Sequence, residues 1–214
     1  MRRILSLIGL FLAVSLHAQN IRELFVAMPD SLSPLLTATN RADFGDFLDY
    51  NMKAEVKNRF DKTSEMLKLT DDYLCLRMSS ASTVEMKLLP VSDSVKVICA
   101  VHTYMAPAPD SRILFYDTQW NELSPEKFIQ LPREDDFYLQ PDSSGKADEL
   151  KNLRAHADMY LSKASLSENG DSLKFVYTTP VYMDEETAKK IKPFLKPLGI
   201  CYLWTDGKFM MIGE

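Results

Sequence analysis

The sequence predicts an α+β protein in which antiparallel β-sheets carry helices packed on one side. Three observations lead there. Apolar residues recur at three- and four-residue spacing over 21–51 and again over 147–159, as amphipathic helices require. Between and after those stretches the period changes to two, in short runs rich in β-branched and aromatic residues. Turn-forming clusters, among them Asp71-Asp72, Ser92-Asp93-Ser94 and Asn169-Gly170-Asp171, separate the runs.

The elements follow a leader. Met1 precedes Arg2 and Arg3, an apolar run from Ile4 to Leu16, and His17-Ala18-Gln19. A basic start, an apolar stretch and a small residue before a polar chain form a cleavable secretory signal, residues 1–18 with cleavage after Ala18. The run is too short to cross a hydrocarbon core, which takes roughly 20 helical residues. No cysteine follows it, so lipid anchoring at a new N-terminus is not expected. No later stretch is long and apolar enough for a membrane span. The expected protein is soluble and periplasmic, or secreted onward. It keeps 196 of 214 residues, and loss of Arg2 and Arg3 takes its net charge from −5 to −7. That acidity argues against nucleic acid and anionic membranes as partners, because both select a basic footprint.

The mature chain opens with a helix whose stripe is Ile21, Leu24, Phe25 and Met28, stopped by Pro29. Ser33-Pro34 predicts the start of another, with serine as cap and proline in the first turn. Asn40 is expected to cap a segment with Phe44, Phe47 and Leu48 on one side and Asp43, Asp46 and Asp49 on the other. Strands are predicted at 64–70, 73–78, 83–89, 95–105 and 111–117. The fourth is apolar on both faces and is expected to be central. A polar, proline-bearing stretch then makes 124–146 the candidate connection between an N-terminal unit, 19–123, and a second, 147–214. In the second unit a helix over 147–159 presents Leu150, Leu153 and Ala157. Strands at 160–166 and 173–181 form a hairpin, Asp184 caps a short helix ending near Phe194, and 199–205 with 208–212 close on Asp206-Gly207.

One echo runs through both units. Asp93-Ser94-Val95-Lys96-Val97 leads to Tyr104-Met105 as Asp171-Ser172-Leu173-Lys174-Phe175 leads to Tyr182-Met183, eleven residues from Asp to Tyr each time. Chance similarity between amphipathic hairpins and two tandem helix-plus-sheet units sharing one core both account for it.

Chemistry is conspicuous by its scarcity. Cys75, Cys99 and Cys201 sit in strand-like runs, and buried free thiols are the expected state; if a disulfide forms, Cys75 with Cys99 is the candidate pair. His102 and His156 have no second ligand at metal spacing, and no metal site is expected. Asp142-Ser143-Ser144-Gly145-Lys146 lacks the first glycine of a phosphate loop and reads as a turn; no cofactor motif is present. Asp43, Asp46 and Asp49 read as a solvated helix face rather than a cation site. No catalytic residue can be named. A glycosidase-like pair of acids leaves no local signature, so a hydrolase of an envelope or dietary polymer stands as the alternative function. The leading expectation is binding, through aromatic and methionine side chains at turns and hairpins: Tyr104 and Met105, Trp120, Phe137 and Tyr138, Tyr182 and Met183. The partner would be an envelope protein, a peptide or a glycan. A third possibility is an assembly factor that accepts a partner strand at a free sheet edge, in the sheet beginning at Val56 or ending at Ile212.

Several phrases are distinctive. Leu24-Phe25-Val26-Ala27-Met28-Pro29-Asp30-Ser31-Leu32, Asn51-Met52-Lys53-Ala54, Leu69-Thr70-Asp71-Asp72-Tyr73-Leu74 and Glu85-Met86-Lys87-Leu88-Leu89-Pro90 resemble an uncharacterised family of exported Bacteroidales proteins, domain of unknown function 3256. The likeness extends over nearly the whole mature chain, through Ala108-Pro109-Asp110-Ser111 and the Trp204–Phe209 hairpin. It implies a Gram-negative envelope location and supplies no activity, ligand or site residue.

Overall fold

A computed structural model describes residues 20–212; the expected signal, 1–18, lies outside them. Among the described residues two antiparallel sheets and four α-helices make up the fold, so the predicted α+β class holds.

Helix α1, Ile21–Ala27, is capped by Asn20, whose side chain accepts the Glu23 N–H at 2.8 Å. Helix α2, Ala38–Asp49, starts later than Ser33-Pro34 suggested. Thr37 is its cap, and Asn40 sits inside the first turn as its reciprocal capping partner. The intervening 29–36 segment stays in turns because its carbonyls and those of α1 converge on one buried cation. Arg41, 2% exposed, donates from Nε to Phe25 O at 2.9 Å and from Nη1 to Leu36 O at 3.0 Å, and its Nη2 reaches Met28 O. A guanidinium with several divergent donors suits that task.

The larger sheet is a seven-stranded meander: β1 Glu55–Lys57, β2 Thr63–Leu69, β3 Tyr73–Ser79, β4 Ser82–Pro90, β5 Lys96–Tyr104, β6 Asp110–Tyr116 and β7 Glu122–Leu123. Strand β5 is central, as its composition predicted, with Val97 to Val101 all buried. Its alternation divides the interior into two cores. Ile98 and Ala100 face α1 and α2 with Leu74, Leu76 and Met86. Val97, Cys99 and Val101 face the other way, toward the second sheet.

That second sheet holds β8 Ser162–Leu166, β9 Ser172–Tyr177, β10 Ile200–Thr205 and β11 Lys208–Met211, in the order β11-β10-β9-β8. Leu173, Phe175, Ile200, Tyr202, Trp204 and Phe209 point into the shared core. The β10–β11 turn places Asp206 and Gly207 at φ of 50° and 77°, the positive values a two-residue type I′ hairpin needs. Helix α3, Ser144–Arg154, begins inside the stretch read as a turn and buries Leu150 and Leu153 in the same core; helix α4 is Glu185–Ile191. The polar 124–146 segment also enters that core, through Ile129, Phe137 and Tyr138. The residue-93 and residue-171 echo falls on the antiparallel pairs β5–β6 and β9–β10.

The cysteines are free thiols, as expected, with Cys99 buried and Cys75 and Cys201 half-buried. The alternative Cys75–Cys99 pair is ruled out by register. Cys75 pairs with Glu85 on β4 and Cys99 with Lys87, so a whole strand separates the two thiols. Two strand spacings come to about 10 Å, beyond disulfide reach.

Strand β8 is an edge, yet its outward amides are engaged. The N–H groups of Ser162, Ala164 and Leu166 donate to Asp110 Oδ1, Ser111 Oγ and Glu85 Oε2 at 3.0, 2.9 and 2.6 Å. Three side chains of the larger sheet thus replace a neighbouring strand. Beside them Lys87, 2% exposed, bonds Glu168 O at 3.0 Å and pairs with Asp72 at 2.8 Å. The sheets are joined by polar pins around an apolar centre.

Candidate binding groove

A groove runs between α4 and the end of β9, and the local sequence explains its walls. Asp184 caps α4 by accepting the Thr187 N–H at 2.9 Å, and Glu185–Lys189 and Glu186–Lys190 pair one turn apart, each at 2.6 Å. Ile191, fully buried, seats the helix, and Pro193 turns it into a 3₁₀ segment, Lys192–Phe194. The chain then runs beside 137–139: Leu139 N–H donates to Phe194 O at 2.7 Å and Lys196 N–H to Phe137 O at 2.9 Å. This fixes Lys192, Leu195, Lys196 and Pro197 along one wall. The other wall is Val176, Tyr177, Pro180 and Val181, with Phe137 beneath.

The groove has a volume of about 510 Å³. A second hollow of about 430 Å³ continues it past Leu139 and Pro193, sharing Lys189, Lys192 and Leu195. Val181 is 68% exposed. Tyr177 stiffens the inner wall: its hydroxyl donates to Glu134 Oε1 at 2.8 Å and receives the Tyr138 O–H at 3.2 Å. Burial pushes the Tyr177 hydroxyl pKa well above its ordinary value, so the network holds its protons at neutral pH. Charge is unevenly distributed. From Thr187 to Lys208 there are five lysines and one acid, Asp206, in a chain of net charge −5. On the groove itself Glu185 answers Lys189, while Lys192 and Lys196 form no ion pair among the described residues.

Of the residues singled out from sequence, Phe137 lies beneath this groove; the others do not line it and do not converge on one site. Tyr104, 56% exposed, stands with His102 at a separate apolar cleft of about 240 Å³ between the 28–35 segment and β3–β5. Burial, and after it the Arg112 charge, lowers the His102 pKa and keeps that ring neutral at pH 7. Met105 is half-buried, its N–H donating to Ala81 O at 3.0 Å. Trp120 and Tyr138 are not exposed, contrary to expectation. Trp120 is 7% exposed because its indole N–H donates to Leu24 O at 3.0 Å and ties β6–β7 to α1. Tyr138 is 5% exposed within the Tyr177 network, and Phe137 lies in the core beside it. Tyr182 is half-buried; its hydroxyl donates to Asp158 and receives the Met159 N–H at 3.1 Å. Its role is to hold the 158–159 loop.

The acidic clusters have structural partners. Arg22 bonds both Asp46 and Asp49 of α2, at 3.0 and 2.7 Å. Among the described residues no three histidine, cysteine or acidic side chains are placed to hold a metal ion. Neither the groove nor the cleft at Tyr104 brings two carboxylates together. The aliphatic and lysine residues of the groove carry no local sequence signal of the kind that aromatics at turns provide. The lysine run 189–196, interrupted by Pro193 and followed by Pro197, was the available signal.

The family model for proteins of unknown function designated DUF3256 matches residues 13–209. The chain belongs to the DUF3256 family. The chain is also similar to a solved domain of an uncharacterised protein from Porphyromonas gingivalis W83. That likeness has 31% identity and a TM-score of 0.77, covering 88% of this chain and 97% of that one. The family resemblance in the sequence phrases is therefore borne out. No curated protein matches. Among the described residues of this DUF3256 protein, no helix is long and apolar enough to cross a membrane.

Proposed function

We propose that this DUF3256 protein is an exported, non-enzymatic binding protein of the bacterial envelope that receives its partner in the groove beside α4. The observation that carries the reading is that groove: about 510 Å³, walled by Val176, Val181, Leu195 and Pro197, and rimmed by lysines on an acidic chain. Binding sites are typically concave and mostly apolar, with a few polar groups that orient the ligand. The basic, apolar and small-residue pattern of residues 1–18 supports export.

Cell fractionation combined with native mass spectrometry tests both parts. The full-length tagged chain is expected in the periplasmic fraction with Gln19 as its first residue. It is expected to carry a bound molecule that Lys192→Glu with Lys196→Glu abolishes. Unprocessed chain in the cytoplasm contradicts export. No bound molecule, or one that the double variant retains, contradicts the groove.

A further inference from the structure

The charge and backbone of the groove narrow what it takes, and this step rests on the binding reading above. We infer that its ligand is a small anionic amphiphile, a carboxylate head on an aliphatic tail, with the head between Lys192 and Lys196 and the tail on Val176, Val181 and Leu195.

Three features of the structure lead to that ligand. The first is charge: the lining carries Lys189, Lys192 and Lys196 against Glu185 alone, and the Glu185–Lys189 pair at 2.6 Å leaves two cations to receive an anion. The second is the apolar wall. Val176 and Val181 are 43% and 68% exposed, and a water-exposed aliphatic surface gains roughly 25 cal/mol for each Å² a tail covers. The third is the backbone. Extended peptides dock chiefly by pairing with a free strand edge. Here β9 is paired with β8 through Tyr177 and with β10 through Phe175, and the opposite wall has spent Leu139 N–H on Phe194 O and Lys196 N–H on Phe137 O. A peptide would find only the two-residue stretch Val176–Tyr177 without a β10 partner, too short an edge to hold an extended strand. A compact amphiphile needs only an apolar wall and a cation, and lysine ammonium groups supply point charges for a single-headed anion.

Calorimetric titration of the mature protein with octanoate, octylamine, 1-octanol and acetate tests the inference. Octanoate is expected to bind at one site, at least tenfold more tightly than octylamine or octanol, and acetate is expected to bind negligibly. Lys192→Gln with Lys196→Gln, at an exposed and a half-buried position and with the fold checked by circular dichroism, should reduce octanoate to the level of octanol. Glu185→Gln should tighten octanoate by removing the one acid and releasing Lys189. Equal affinity for octylamine, octanoate binding unchanged in the double variant, or no saturable binding by octanoate overturns the inference. Failure of octanoate while a photoreactive group at Val181 still captures a molecule in cells removes the ligand class and leaves the groove. Failure of both removes the groove as well.

Discussion

Arg41 shows what one side chain decides. Its guanidinium is enclosed by the 25–36 segment and satisfies carbonyls that end α1 and form the next turns. Phe25 O keeps only the long Met28 N–H contact at 3.4 Å without it, and an unpaired buried polar group carries its full desolvation cost. Arg41→Met should therefore cost about 3–5 kcal/mol, the range for breaking a buried charged network. The urea midpoint should fall at unchanged slope. Arg41→Lys should recover only part of the loss, because one ammonium cannot reach Phe25 O and Leu36 O together. The sequence held a trace of this role. Arg41 falls in phase with Phe44 and Leu48, on the apolar side of α2. Its companions Ser33 and Pro34 pointed to a helix start, because a cap-and-proline pair looks the same in a turn. Only the carbonyl demand of the folded segment separates the two.

At the scale of elements, β8 shows how an edge is closed without another strand. Asp110, Ser111 and Glu85 take its three outward amides. Strand β8 therefore offers its amides to no partner strand, and β11 is engaged at Phe209, whose N–H donates to Phe128 O at 2.7 Å. Glu85 makes the closure pH-sensitive. Burial raises its carboxyl pKa above the ordinary value, more than the Leu166 N–H lowers it. A raised folded pKa means the native state holds the proton more tightly than the unfolded chain. The associated stability is complete below the unfolded pKa and is lost as pH rises through the folded one. Glu85→Gln keeps a carbonyl for Leu166 and cannot ionise. Relative to the parent it should gain stability between pH 4 and pH 7, read from urea midpoints across that range. A stability difference between the two that does not vary with pH would show that the Glu85 proton is not coupled to the fold. Helix α4 and the β10–β11 hairpin were legible because their signals are local: a capping aspartate, and Asp-Gly between alternating apolar residues. The first turn of α3 was hidden by Ser143-Ser144-Gly145, which favours turns until Leu150 and Leu153 find the core.

For the whole molecule, the sequence told the class and strand content but not the layering. Both faces of β5 read as apolar, and no local pattern says that helices cover one and a second sheet the other. That pairing depends on contacts such as Trp204 Nε1 to Pro90 O, 114 residues apart. The same limit explains the site. Trp120 and Tyr138 looked exposed because they adjoin turns, yet each has an apolar body with a buried hydrogen-bond partner, and such residues end up inside. The groove is made of valines, prolines and lysines that are ordinary one by one and become a site only when α4 is set against the end of β9. Its shape and charge are the grounds for the proposal that a partner binds there. The most direct test places p-benzoylphenylalanine at Val181 in the groove or at Phe60, 69% exposed on the turn between β1 and β2, in the full-length chain within its native envelope. Ultraviolet irradiation and intact-mass measurement should show a covalent adduct at position 181 and none at position 60. An adduct at 60 alone, or unmodified protein at both positions, would contradict the claim that this groove receives a partner.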